Sequence, residues 1–168
     1  MDAKFIKPFV ASIQNVFATM LQLNVAVQPP YLKDDNRPSH DVSGIIGMSG
    51  DVTGSVVLSF PQATAENVVA LFCGQKYPMG SPDFADAIGE LVNMVTGGAK
   101  AAFKDAKCSI SCPSVIVGGN HTVARQTDIP CVVIPCTTDS GDLFIEIAIK
   151  AAPKLDAQHK AAASAATR

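Results

Sequence analysis

Two polar residues, Glu90 and Asn93, stand three positions apart in the run Asp86-Ala-Ile-Gly-Glu90-Leu-Val-Asn93-Met-Val-Thr-Gly-Gly98. A carboxylate engages a cation. A carboxamide both donates and accepts hydrogen bonds, so it can hold one water molecule in a fixed orientation. On a helix this spacing puts both side chains on one face. A pair of this kind on a convex helix, outside any cleft, points to chemistry that a second protein completes.

The element that must carry the pair is a long amphipathic helix. Ser81 or Asp83 can cap its start, with Pro82 near the first position, and the pattern extends to about Lys104. At about 100° per residue, Phe84, Ile88, Leu91, Val92, Val95, Ala99 and Ala102 share the face turned to a core. Asp86, Glu90, Asn93, Gly97, Lys100 and Lys104 fall on the opposite face. A glycine inside a helix costs about 1 kcal/mol relative to alanine. At Gly97 the compensating use is a smooth surface that another protein can approach.

The surrounding sequence alternates helix and strand signals. Helical spacing from Ile6 to Leu23 directs Phe9, Ile13, Val16, Phe17 and Met20 onto a sheet. The stretch from Gln28 to Asp41 holds three prolines and reads as loop or edge structure. Asp41–Met48 and Val52–Phe60 form a hairpin across Ser49-Gly50-Asp51. Gly44, Gly47 and Gly54 within it signal bulges or close backbone contact. A second helix spans Ala63–Phe72 and stops at Gly74. Three β-rich runs follow: Ser109–Gly118 turning at Gly119-Asn120 into His121–Thr127, then Ile129–Thr137, then Leu143–Lys150. Glu146 is the one acid in the last, otherwise apolar strand. The expected organisation is one domain over residues 1–150 and a flexible Ala/Lys-rich tail over 151–168.

Bulk properties narrow the function classes. The chain has 168 residues, is 48% hydrophobic and carries a formal charge of -2, enough apolar material for a core and no basic excess for nucleic acid or an anionic membrane. No stretch reaches the roughly 18 apolar residues of a membrane span. Asp2, Lys7, Pro8, Gln14 and Asn15 interrupt the apolar N-terminus, which is not the pattern of a secretion signal. A cytoplasmic protein is expected. Cys73, Cys108, Cys112, Cys131 and Cys136 are odd in number and lack a C-x-x-C pair, so they are expected as buried reduced thiols without metal. His121, in a turn, is expected to make local hydrogen bonds. Ser55 and Ser59 lie too deep in a strand to suggest a nucleophile.

Three segments together resemble one family: Asp41–Phe60, Gly89–Lys100 and Ser109–His121. They are similar to the bacterial chemotaxis phosphatases of the CheC/CheX/FliY type, over nearly the whole chain to about residue 150. The family pattern places Asp or Ser, then Glu, then Asn on one helix, with a proline further on. Asp86, Glu90, Asn93 and Pro113 fill it. Members with two sites repeat the pattern in the N-terminal helix, but here Ser12 is followed by Val16 and Thr19, so a single site is implied.

The resemblance implies an α/β (α+β) fold, with long helices packed on an antiparallel sheet that continues across a homodimer. It implies hydrolysis of the aspartyl phosphate of a CheY-like response regulator. Asn93 would orient the attacking water and Glu90 would bind a lysine of the partner. Mg2+ would come from the partner, with no cofactor of the chain's own. Asp86, Gly97, Lys100 and Pro113 become candidate partner contacts. Each also has a simpler role: Asp86 as a favourable charge near a helix start, Lys100 as a solvated charge and Pro113 as a strand breaker. The competing class is a non-catalytic adaptor of the flagellar-switch type, which a complete Glu–Asn pair argues against.

Overall fold

A computed structural model describes residues 3–33, 39–103, 106–124 and 128–152. Eight strands form one antiparallel sheet: β1 (Ala26–Val27), β2 (Tyr31–Leu32), β3 (Val42–Gly50), β4 (Val52–Phe60), β5 (Cys108–Ile110), β6 (Ser114–Val117), β7 (Val132–Thr138) and β8 (Gly141–Ala151). The order runs β1-β7-β8-β4-β3-β5, with β2 also on β7 and β6 also on β3. Among the described residues three α-helices accompany it: α1 (Ala3–Val16), α2 (Gln62–Cys73) and α3 (Pro82–Ala101).

Strict alternation along the central strands decides which face the helices cover. Val42, Ile46 and Met48 of β3, Val56, Leu58 and Phe60 of β4, and Leu143, Ile145, Ile147 and Ile149 of β8 join one core with the helices. Phe9, Ile13 and Phe17 enter it from the N-terminal helix, and Phe84, Ile88, Leu91, Val92 and Val95 from α3. The hairpin registers Val42 on Phe60 and Met48 on Gly54, and turns at Asp51. Gly74 ends α2 in a left-handed conformation at φ 70°, where a glycine has no steric penalty.

The second face carries the strands' other side chains and is polar at its centre. Glu146 of β8 is buried, and both carboxylate oxygens accept from Lys33 Nζ, at 2.7 and 2.6 Å. Ser39 Oγ joins them, 3.3 Å from Glu146 Oε1. His40 N donates to Ser59 Oγ at 2.9 Å, and the His40 ring lies on Phe144 with centroids 4.3 Å apart. Burial holds the His40 imidazole below its ordinary pKa, against the opposing pull of Asp41, Glu146 and Asp142. His121 closes the cluster. Its Nδ1 donates to Gly118 O at 2.6 Å, which leaves Nε2 to accept from Ser43 Oγ at 2.8 Å.

Several expectations are corrected. Ser109–Gly118 is not one strand: β5 and β6 are separated by Ser111-Cys112-Pro113. Ser111 Oγ there accepts from Gly47 N, so the strand is interrupted by a side chain taking a ladder partner. Residues 121–124 are irregular, and the rest of the expected run to Thr127 lies outside the described residues. The N-terminal helix ends in a π-helical turn, Phe17–Leu21, that rotates Met20 to 45% exposure and off the core. Ala102 is the C-cap of α3 and is exposed. Cys108, Cys131 and Cys136 are buried and outside any disulfide, with burial pushing the Cys136 thiol pKa up to about 12, but Cys73 and Cys112 are exposed. Strand β8 runs through Ala151, and the tail from residue 153 lies outside the described residues. No helix among the described residues is long and apolar enough to cross a membrane.

Candidate functional site

Helix α3 begins as its sequence dictates. Ser81 is the N-cap, its Oγ accepting from Phe84 N at 3.3 Å, with Pro82 in the first turn and Asp83 following. Asp83 thus adds a favourable charge to the first turn and is not the cap.

The helix is then held on three sides. Beneath it, Gly44 of β3 leaves room: a Cβ there would meet Val92 Cγ1 at 3.1 Å and Ile88 Cγ2 at 3.2 Å. On one flank, Ser12 of α1 donates to Val95 O at 2.7 Å, and a Cβ on Gly98 would lie 2.4 Å from that hydroxyl. On the other flank, Pro113 rests over Gly89, where a Cβ would come within 3.2 Å of Pro113 Cγ. Gly44, Gly89 and Gly98 therefore let three elements approach one helix.

What remains free is a strip of exposed or half-exposed residues: Asp86, Glu90, Asn93, Gly97 and Lys100. Glu90 and Asn93 touch, with Asn93 Nδ2 3.5 Å from Glu90 Oε2. A Cβ on Gly97 would have nothing within 4 Å, so this glycine is a gap in the strip and not a packing device. Pro113 is exposed beside Glu90's turn. The structure thus brings together Asp86, Glu90, Asn93, Gly97, Lys100 and Pro113. Lys104 lies outside the described residues. At the positions where a second pair would stand, Ser12 and Val16 of α1 are buried, and Thr19 Oγ1 in the π-helical turn bonds back to Asn15 O at 2.7 Å.

Sequence pattern does not reveal Ser12 as the seam between α1 and α3, or Gly89 as the seat of Pro113. Gly44 is signalled as a close-contact glycine; the other two contacts join segments far apart in the chain. Lys107 is a further residue that pattern does not single out. It is exposed next to the C-terminal end of the strip, across a groove of about 560 Å³.

An outward-facing amide and carboxylate can hold a water and a cation, but the strip itself offers no nucleophile to react with them. A catalytic reading therefore requires an incoming surface that supplies the reacting group.

Comparison with known proteins agrees with the architecture. The family model described as chemotaxis phosphatase CheX matches residues 42–137, a span that includes Glu90, Asn93 and Pro113. The CheY-P phosphatase CheX of Thermotoga maritima is 29% identical over 123 residues, 70% of this chain and 78% of the relative. A CheC-like superfamily protein from Shewanella sp. PV-4 superposes with a TM-score of 0.81 at 35% identity, covering 89% of this chain and 99% of the other. The CheX-CheY-BeF3-Mg2+ complex from Borrelia burgdorferi shares the fold, with a TM-score of 0.73, 23% identity and coverage of 87% and 97%.

Proposed function

The chain belongs to the CheX chemotaxis phosphatase family, and on that premise we propose that it hydrolyses the aspartyl phosphate of a CheY-like response regulator. The observation that carries this reading is the Glu90–Asn93 contact on the one free face of a helix held on its other three sides.

An acyl phosphate has a good leaving group, so its hydrolysis needs a water in line with phosphorus and stabilisation of charge more than covalent help. Asn93 supplies the alignment. Its amide oxygen accepts a hydrogen bond from the water and turns a lone pair to phosphorus. The new P–O bond forms as the bond to the aspartyl oxygen breaks, the partner's carboxylate leaves, and the water's proton passes to the released phosphate or to solvent. Glu90 binds a lysine beside the phosphorylated aspartate and so sets the helix in register. Mg2+ is the partner's. In this reading the chain contributes no metal of its own.

Asp86, Gly97, Lys100 and Pro113 border the pair and contact the same partner. Pro113 fixes the height of the neighbouring loop over Gly89. Gly97 admits the partner's backbone to the helix surface. The reading extends to a cytoplasmic chemotaxis-type signalling route and to a homodimer joined through the sheets.

Asn93→Ala tests it. Phosphate release from the phosphorylated regulator should fall by about a hundredfold or more, as expected for loss of a positioning group. Circular dichroism and thermal unfolding should be unchanged, because the side chain is partly exposed. Release at the wild-type rate would overturn the assignment.

A further inference from the structure

Beyond the last turn of the strip, α3 faces strand β5 across the groove lined by Ser49, Gly50, Gly97, Lys100, Lys107 and Ser109. No carboxylate lines it among the described residues. Neither Lys100 nor Lys107 forms an ion pair with another described residue. Lys107 is nonetheless held in place. Its N–H donates to Asp51 Oδ2 at 2.8 Å, and Asp51 N donates back to Lys107 O at 2.9 Å. Gly50 makes this clamp possible, for a Cβ at its φ of 109° would lie 2.5 Å from Lys107 O. The Asp51 carboxylate thus engages the backbone and leaves the ammonium group free.

Charge is ordered along the strip. Asp86 and Glu90 occupy its N-terminal half, just beyond Asp83 in the first turn of α3, and Lys100 its C-terminal end. At 1.5 Å rise per residue, Glu90 and Lys100 are about 15 Å apart. The helix dipole accounts for Asp83 and Lys100, since it favours acids in the first turn and bases in the last. It does not account for Glu90, which is mid-helix, or for Lys107, which is not on the helix at all.

We propose that this groove is the specificity-determining half of the docking surface: it receives an acidic segment of the response regulator, while Glu90 takes a cation of the same partner at the other end. The proposal rests on the phosphatase reading above. A partner with acid and base about 15 Å apart fits in one orientation only, because reversal sets like charges against each other at both ends. The water-holding amide of Asn93 lies between the two poles. Orientation and chemistry are then separate properties, carried by different residues.

The test uses the full chain and a phosphorylated CheY-like regulator, with Lys107→Glu beside wild type. The expected result is a KM raised about tenfold with kcat within about twofold, as for a charge at an interface rim, and a wild-type KM that climbs with added NaCl more steeply than the variant's. Lys107→Arg should restore the wild-type KM. Lys76→Glu, on the connection at the far end of α3, should leave KM unchanged. An unaltered KM and salt response in Lys107→Glu would overturn the proposal. If wild type does not shorten the phosphate's lifetime, the phosphatase reading fails, and titration against the beryllofluoride-loaded regulator decides the groove alone. Weaker binding by Lys107→Glu supports it, and equal binding or none overturns it.

Discussion

At the scale of single residues, Glu90 and Asn93 differ in what they should do to a rate. In the proposed mechanism Asn93 aligns the reacting water, so its loss should fall on kcat. Glu90 is proposed to bind a partner cation, and on that reading Glu90→Ala should raise Kd for the phosphorylated regulator about tenfold, the loss of one charge-assisted contact. Isothermal titration would read it, and an unchanged Kd would remove the lysine contact from the mechanism. The pair is legible in the sequence because helical spacing alone fixes the angle between two side chains three residues apart. Pro113 can be named from sequence but not placed. Its seat on Gly89 depends on how β5 and β6 leave the sheet, and no local pattern encodes that. Lys107's place at the groove is hidden for the same reason, because a strand and a hairpin turn bring it there.

At the scale of elements, glycines near the strip invite opposite responses to substitution. Gly97→Ala adds a methyl to open space in a helix interior, so it should stabilise by up to about 1 kcal/mol. The same methyl would stand between the helix and its partner. Gly97→Ala should therefore raise Tm yet weaken regulator binding, and a variant gaining both would refute the smooth-surface role. Gly44→Leu should destabilise instead. It drives a side chain into Val92 and Ile88, whose methyls lie 3.1 and 3.2 Å from the point a Cβ would occupy, and overpacking of this kind costs about 1–3 kcal/mol. At roughly 2–4 °C per kcal/mol in a chain this size, the melting midpoint records it. The hairpin, α2 and β7–β8 are legible because period-two alternation and turn residues agree there. The π-helical turn is not, since Phe17, Leu21 and the αL residue Gln22 fit a continuing helix by pattern, and only packing against α2, far along the chain, distinguishes the wider turn. The break at Ser111–Pro113 is hidden because an apolar run reads as one strand whether or not a side chain takes over its partner.

For the whole molecule, the buried polar centre behind the sheet governs stability independently of the strip. Glu146→Ala leaves the Lys33 ammonium buried beside Ser39 with its carboxylate partner gone, a loss of about 3–5 kcal/mol measurable by urea denaturation. His40 sets the response to acid. Its folded pKa lies below the 6.5 of the free imidazole because burial outweighs the nearby carboxylates. Its contribution is therefore complete above that value and disappears as pH falls beneath it, because the unfolded chain takes the proton first. Melting midpoints should fall as pH drops below about 6.5, less steeply in His40→Gln. Equal slopes would acquit the histidine. The acid in β8 is visible as an anomaly in the sequence, while its distant partner Lys33 is not. The seam between α1 and α3 also bears on valency. With Ser12 locked inside that seam and Val16 buried, the phosphatase reading leaves one regulator site, on α3, among the described residues of each chain. The dose–response should then rise as a simple hyperbola, and a single chain should not tether two regulator molecules at once.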